Sequence, residues 1–344
     1  MRIGSRPTFL GTIAIGAVLP SILLAQLAKT TMKAIAIHEY GGPEVLKYED
    51  VPRPEPNADQ FLVRVIAAGV NPVDAMIRSG MFAKHEKDVF PLIPGADISG
   101  VVEKAGNKIT KFKPGDPVFA YVSLKGGGGY AEYALARERE ASPKPKSLTY
   151  VEAAAVPIVA LTAWQALIDT AKLKAGQTVL IHGGSGGVGS FGIQIAKAHG
   201  AKVIATASSS NQDLLKQLGA DVSIDYTKQR FEDIAKDVDV VLDSVGEDTL
   251  ARSYGVVKRG GFIVSLVARP DQSELDKHGI RGAALNVEPN SDELAEIGGL
   301  IDEKKIKVIV SQTVPLSDAA KAQERVATGH TRGKIVLRVA DEPK

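Results

Sequence analysis

The chain has 344 residues, 44% of them hydrophobic and 24% charged, with 34 Gly, 18 Pro and no Cys. That length is more than one hydrophobic core usually organises, so two domains are expected. Forty-two Lys and Arg against 40 Asp and Glu leave +2, too small an excess to argue for nucleic acid or an anionic membrane surface. The missing cysteines exclude disulfides, cysteine nucleophiles and thiolate-ligated zinc or iron–sulfur sites.

Residues 1–31 hold Arg2, Arg6 and Lys29 and no acid, so the remainder of the chain carries −1. Between Arg6 and Lys29 the run is uncharged and largely apolar, the layout of a secretory signal or a membrane anchor. Its length reaches the roughly 20 residues that a single span needs, although Pro20 interrupts it and no clean A-x-A site follows. Ser5-Arg6-Pro7-Thr8-Phe9-Leu10 is weakly similar to a twin-arginine signal, with Pro7 where a second arginine belongs. Two other readings stand beside this one: an extension ahead of a working start at Met32, where a strand begins at once, or a buried helix. Export or anchoring is expected if the segment is a genuine signal, and a cytoplasmic protein if Met32 is the start.

From 32 to about 155, short β-like runs alternate with Gly/Pro turns, at 33–37, 61–67, 98–105, 117–120 and 131–136, and predict an all-β module with few helices. Near Val151 the texture becomes helical. Strands at 178–182, 202–207, 222–224, 238–243 and 262–267 then alternate with helices through 198 and near 212–218. This alternation predicts a parallel sheet covered on both faces. A helix at 291–303 and a strand at 334–339 return to the first module. The expected division is 32–155, completed by 295–344, and 156–294.

The most informative segment is 178–196. An apolar strand runs into Gly183-Gly184-Ser185-Gly186-Gly187-Val188-Gly189, and a helix follows. Gly184, Gly186 and Gly189 satisfy G-x-G-x-x-G in the context that gives the motif meaning: glycines admit a tight turn and close backbone approach, and the helix N-terminus offers free N–H groups to a pyrophosphate. The next strand ends in Ser208-Ser209-Ser210-Asn211, without the acid that would bind the 2′-hydroxyl of NAD. NADP(H) is therefore favoured. Ser208 and Asn211 are candidate donors to a 2′-phosphate, with Tyr226 and either Arg332 or Lys334 supplying a further contact. Solvated strand-edge charge is the alternative for the two cations.

These features resemble the medium-chain dehydrogenase/reductase superfamily, in its zinc-free quinone oxidoreductase and enone reductase branch. The resemblance rests on the stretches 39–46, Gly69-Val70-Asn71-Pro72-Val73-Asp74, 94–102, the glycine loop and 329–337, and covers 32 to 340. It implies an α/β protein with a GroES-like β-rich catalytic domain and a Rossmann doubly wound cofactor domain. Zinc-dependent relatives use a Cys near the position of Asn71 and the His of Gly-His-Glu, which here reads Gly95-Ala96-Asp97. Catalytic zinc takes about three protein ligands, and the six His (His38, His85, His182, His199, His278, His330) show no metal-ligand spacing. Metal-assisted alcohol oxidation is thus disfavoured, and no metal site is expected.

Without a Lewis acid, the resemblance implies hydride transfer to a conjugated acceptor, a quinone or an enone or alkenal, with the protein supplying orientation and water exclusion. It places Asn71 beside the nicotinamide, with Asp74 holding its loop; a turn cap is the alternative for both. Thr162 resembles a cofactor-contacting threonine, against mid-helix packing. Val245 and Gly246, with Ser265, Leu266 and Val267, are expected around the nicotinamide. Gly126-Gly127-Gly128-Gly129-Tyr130 reads as a mobile loop at the cleft mouth, and Tyr130 itself as a proton donor, a substrate wall or a structural residue. Relatives imply a homodimer. A membrane-tethered NADPH-binding protein with little turnover and an alcohol dehydrogenase-like enzyme are the competing functions.

Overall fold

The computed structural model describes residues 1, 30–83, 90–123 and 128–343. The signal-like stretch, apart from its ends, and Gly126 and Gly127 of the glycine-rich loop lie outside the described residues.

The first module contains β1 (Thr31–Ala36), β2 (Lys47–Pro52), β3 (Phe61–Gly69), β4 (Asp97–Ala105), β5 (Pro117–Tyr121), β6 (Tyr133–Ala136) and β7 (Ala141–Pro143). β1 and β2 form an antiparallel pair whose register begins at Thr31↔Pro52, one residue ahead of Met32. The second run of strands is β8 (Thr178–Ile181), β9 (Lys202–Ala207), β10 (Val222–Asp225), β11 (Val238–Asp243), β12 (Val257–Ser265) and β13 (Arg281–Ala284), and the chain closes with β14 (Val310–Pro315) and β15 (Lys334–Arg338).

Two larger sheets result. The strands β10-β9-β8-β11-β12-β13 form one, parallel throughout, in the order of a Rossmann-like sheet. From β8 the chain builds outward through β9 and β10, then crosses to β11 and builds the other way. The point of reversal lies between β8 and β11, where ligands of open α/β sheets bind at the strands' carboxyl ends. The other sheet runs β14-β15-β3-β4-β5-β7, with β6 also on β3. Val336 of β15 pairs with Gly69 of β3, so the end of the chain is built into the GroES-like module.

A single apolar cluster spans the two sheets. It joins Phe119 and Tyr121 of β5, the helices Tyr150–Ala154 and Pro157–Trp164, Phe191 and Ile195 of the helix Gly187–Ala198, and Leu294, Ile297 and Ile301 of the helix Ser291–Asp302. The helix Pro157–Trp164 is buried along its whole length, as expected of an element covered on every side. Among the described residues no helix is long and apolar enough to cross a membrane.

Candidate active site

β8 delivers the glycine loop to a cleft of about 680 Å³, within the range of small-molecule and cofactor sites. Gly183 takes φ +69°, a left-handed conformation that glycine adopts without strain. The helix Gly187–Ala198 starts directly behind, with Gly186 as its N-cap residue. Its first N–H groups have no intrahelical partner and border the cleft, so the cradle suits a pyrophosphate. A side chain on Gly189 would collide with the Gly183 carbonyl and approach Gly184 Cα to 2.7 Å. That glycine lets the helix sit against the turn.

One end of the cleft is formed by Ser208, Ser210, Asn211, Tyr226, Ser244, Val245, Thr249 and Arg252. The other holds Val70, Asn71, Pro72, Lys334 and Ile335. Ser185, Gly186, Gly187, Val188 and Gly189 lie between them. A nicotinamide dinucleotide fits this layout: hydroxyls and an amide at one end, backbone N–H groups in the middle and a buried amide at the other.

Several expected contacts fall elsewhere. Gly184 packs beneath the turn, 2.8 Å from Leu215 Cδ2 to an ideal Cβ. Thr162 is inside its helix, donating to the Ile158 carbonyl at 2.7 Å. Ser265 is fully buried and donates to Asp243 Oδ2 at 2.8 Å, while the Gly246 N–H donates to Asp243 Oδ1. Gly246, Ser265, Leu266 and Val267 are not among the described residues that line this cleft of about 680 Å³.

Of the two cations expected near a 2′-phosphate, Lys334 lines the cleft beside Asn71 and Arg332 does not. Arg332 is exposed and off the cleft wall. Lys334 is 4% exposed, and its ammonium donates to Val70 O at 2.9 Å, Asn71 Oδ1 at 2.5 Å and Asp97 Oδ2 at 3.3 Å. Three donors meet three internal oxygens. Arg252, unnoticed in the sequence, also borders the cleft. It lies over the Phe231 ring at 4.7 Å and is held by Asp248 at 2.8 Å and Glu232 at 2.9 Å.

The serine-rich turn has a carboxylate neighbour that inspection of its own strand missed. Asp225, at the end of β10, accepts from Ser209 Oγ at 2.5 Å and Thr227 Oγ1 at 2.6 Å. The hydroxyls of Ser209 and Thr227 hold its pKa down, to about 2. It does not face the cleft.

Asn71 and Asp74 open the helix Pro72–Arg78. The Asn71 N–H donates to Asp74 Oδ2 at 2.8 Å, the reciprocal half of a capping box. Asn71 is 2% exposed and its Nδ2 donates to Asp97 Oδ2 at 2.9 Å. Asp97 also accepts the Ile158 N–H at 2.7 Å. Burial pushes the Asp97 carboxyl up, against the opposing pull of the Lys334 ammonium.

Asp74 is fully buried and turned away from the cleft; burial raises its pKa to about 7, opposed by the Asn71 N–H and the Tyr130 hydroxyl. Tyr130 is 0% exposed and donates to Asp74 Oδ2 at 2.8 Å. Its ring fills the space that a side chain on Gly95, at φ +93°, would need. Neither a cleft-facing proton donor nor a substrate wall, Tyr130 supports the Asn71 turn from the interior. Gly129 and Tyr130 are tied by their N–H groups to Gly95 O and Pro94 O, both at 2.9 Å.

His182 ends β8 between Thr206 Oγ1 at 3.2 Å and Ser253 Oγ at 3.0 Å. Burial lowers its pKa to about 4, so it is neutral near pH 7 and is no acid for the reaction. Among the described residues no three His, Cys, Asp or Glu side chains stand close enough to hold a metal ion.

Comparison with known proteins agrees with this architecture. Residues 57–146 match the family Alcohol dehydrogenase GroES-like domain, and residues 218–337 match Zinc-binding dehydrogenase. The chain is 37% identical over 327 residues to the mouse (Mus musculus) quinone oxidoreductase, covering 89% of this chain and 97% of that protein. It is 38% identical over 317 residues to the chloroplastic NADPH-dependent alkenal/one oxidoreductase of Arabidopsis thaliana, covering 89% and 79%. The solved quinone oxidoreductase of Coxiella burnetii superposes with a TM-score of 0.82 at 38% identity over 90% of this chain and 99% of that one. The Escherichia coli quinone oxidoreductase complexed with NADPH gives 0.81 at 30% identity, covering 89% and 100%. With its GroES-like and Rossmann-like sheets around one glycine-lined cleft, the chain belongs to the medium-chain dehydrogenase/reductase superfamily.

Proposed function

We propose that the protein is an NADPH-dependent, zinc-independent reductase of quinones or α,β-unsaturated carbonyls. The observation that carries this reading is the buried Asn71 amide at one end of a dinucleotide cleft, at a position where zinc-dependent members use a cysteine ligand. NADPH, when bound, supplies the hydride, and the acceptor takes that hydride and one proton.

The chain's own groups bind and orient. Backbone N–H groups of 187–189 receive the pyrophosphate. Ser208, Ser210, Asn211 and Tyr226 receive the 2′-phosphate end, with Arg252 a further cation on the wall. Asn71 orients the reacting end, and Val70, Pro72 and Ile335 keep water from it. In this reading residues 32–155 with 295–344 form the acceptor-side unit and 156–294 the cofactor unit. A second copy would add to the outer edge of β13.

The test is NADPH oxidation by residues 32–344 against a panel of quinones, enones, alkenals and simple ketones. Turnover with conjugated acceptors and none with simple ketones is expected. Tight NADPH binding without turnover on any acceptor would instead favour a binding protein. Asn71→Ala should lower kcat roughly 10- to 100-fold, the scale of a lost positioning contact, while changing the Kd for NADPH only a few-fold.

A further inference from the structure

We propose that Lys334 is a positioning residue for hydride transfer, which with Asp97 fixes the Asn71 amide in one of its two orientations. The inference rests on the reading of Asn71 given above and adds two residues to it.

An ammonium has donors only, and an ionised carboxylate accepts only. Lys334 Nζ faces Asn71 Oδ1 at 2.5 Å, and Asp97 Oδ2 faces Asn71 Nδ2 at 2.9 Å. Turning the amide over would set donor against donor and acceptor against acceptor. The cost of that arrangement is high because Asn71, Asp97 and Lys334 are respectively 2%, 0% and 4% exposed, and buried polar groups left unmatched are expensive. Asn71 Nδ2 has two hydrogens. One goes to Asp97; the other, locked in the same plane, meets no acceptor among the described residues. Asn71 is part of the cleft wall, so this second hydrogen is the one the site can offer to a carboxamide or carbonyl oxygen.

Lys334 itself offers the cleft no hydrogen, since all three are committed to Val70 O, Asn71 Oδ1 and Asp97 Oδ2. It therefore acts through Asn71. Its stem runs beside the glycine loop, with Cδ 3.2 Å from an ideal Cβ on Gly187. The preceding residue, Gly333, donates its N–H to Ser185 O at 2.8 Å. The amide that meets the reacting end is thus referenced to the turn that meets the pyrophosphate.

Removing Lys334 alone would leave Asp97 buried without its counter-charge, which threatens folding. The working variant is accordingly the charge-neutral pair Lys334→Met with Asp97→Asn, compared with Asn71→Ala and with the triple variant. Each is assayed in the full chain for NADPH affinity and for the single-turnover rate with an acceptor that the unaltered enzyme reduces. The neutral pair should bind NADPH within about threefold of the unaltered protein and transfer hydride about 10- to 100-fold more slowly. The triple variant should be no slower than Asn71→Ala by more than about twofold, as expected when residues act as one unit.

A neutral pair as fast as the unaltered enzyme, beside a slow Asn71→Ala, overturns the inference and leaves the reading of Asn71 standing. An additive triple variant overturns it too. An Asn71→Ala enzyme of unaltered rate removes the inference together with the reading beneath it. A measurement without turnover completes the set: the side-chain ¹⁵N amide signals of Asn71, identified by their loss in Asn71→Ala, should show one hydrogen protected from solvent exchange and one exchanging freely. Two equivalent hydrogens would reject a locked amide.

Discussion

Asp74 illustrates how much of this site is held from behind. Its carboxyl caps Asn71 and takes the Tyr130 hydroxyl, yet Oδ1 has no partner, and burial lifts its pKa from 3.8 to about 7. A carboxyl whose pKa is higher folded than unfolded binds extra protons in the native state between those two values. Its contribution to stability is full below about pH 4 and is lost as pH rises through 7. The melting temperature of the unaltered protein, relative to Asp74→Asn, should therefore fall between pH 5 and pH 8; parallel curves would disprove this. His182 contributes with the opposite sign. Its pKa of about 4 lies below the ordinary 6.5, so its contribution is present above about 6.5 and lost as pH falls through 4. At this scale the sequence singled out Asn71 and the serine-rich turn, and both line the cleft. It did not foresee the internal partners of Lys334, because they stand 237 and 263 positions away in the chain and strand-edge position alone says nothing about which way a long side chain runs.

The glycine loop shows the difference between a motif and its geometry. G-x-G-x-x-G treats its three glycines alike, whereas the structure separates them. An ideal Cβ on Gly186 meets only the Gly183 carbonyl, at 3.3 Å, while one on Gly189 runs into backbone. Gly189→Ala should destabilise the protein by roughly 1–3 kcal/mol, the range for overpacking, and impair NADPH binding. Gly186→Ala should leave the melting temperature within a degree or two. Denaturation curves and NADPH titrations of both variants check this.

Among strands, those expected at 202–207 and 238–243 coincide with β9 and β11, both interior to the parallel sheet. The ones not foreseen, β2, β7, β13 and β14, each lie at an edge or in the two-stranded sheet. Edge strands are half-solvated and carry little apolar signature, as Val310-Ser311-Gln312-Thr313-Val314-Pro315 shows. Every strand that periodicity overlooked only completes a sheet, although β1 and the edge strand β10 were foreseen.

On the scale of the molecule, the apolar cluster shared by the helices Pro157–Trp164 and Ser291–Asp302 joins the two sheets. Ile297 is fully buried within it. Ile297→Ala should cost about 2–5 kcal/mol, as for large-to-small changes in a core. If the sheets are one cooperative unit, calorimetry of that variant should still show a single transition. Two resolved transitions would mean that the sheets unfold separately.

The place of β15 has a consequence for biosynthesis. It lies between β14 and β3 rather than at the margin of its sheet, although it comprises Lys334–Arg338 of a 344-residue chain. On the ribosome, β3 through β7 emerge long before the strand that must sit beside β3, and the cleft wall at Gly333, Lys334 and Ile335 is missing until β15 has emerged. Such long-range pairing is slow to form. The nascent chain can complete its parallel sheet and glycine loop before β15 is made, so the finished cofactor cleft forms late, and a chain cut ahead of Gly333 should make a Rossmann-like sheet beside an open, unfinished partner.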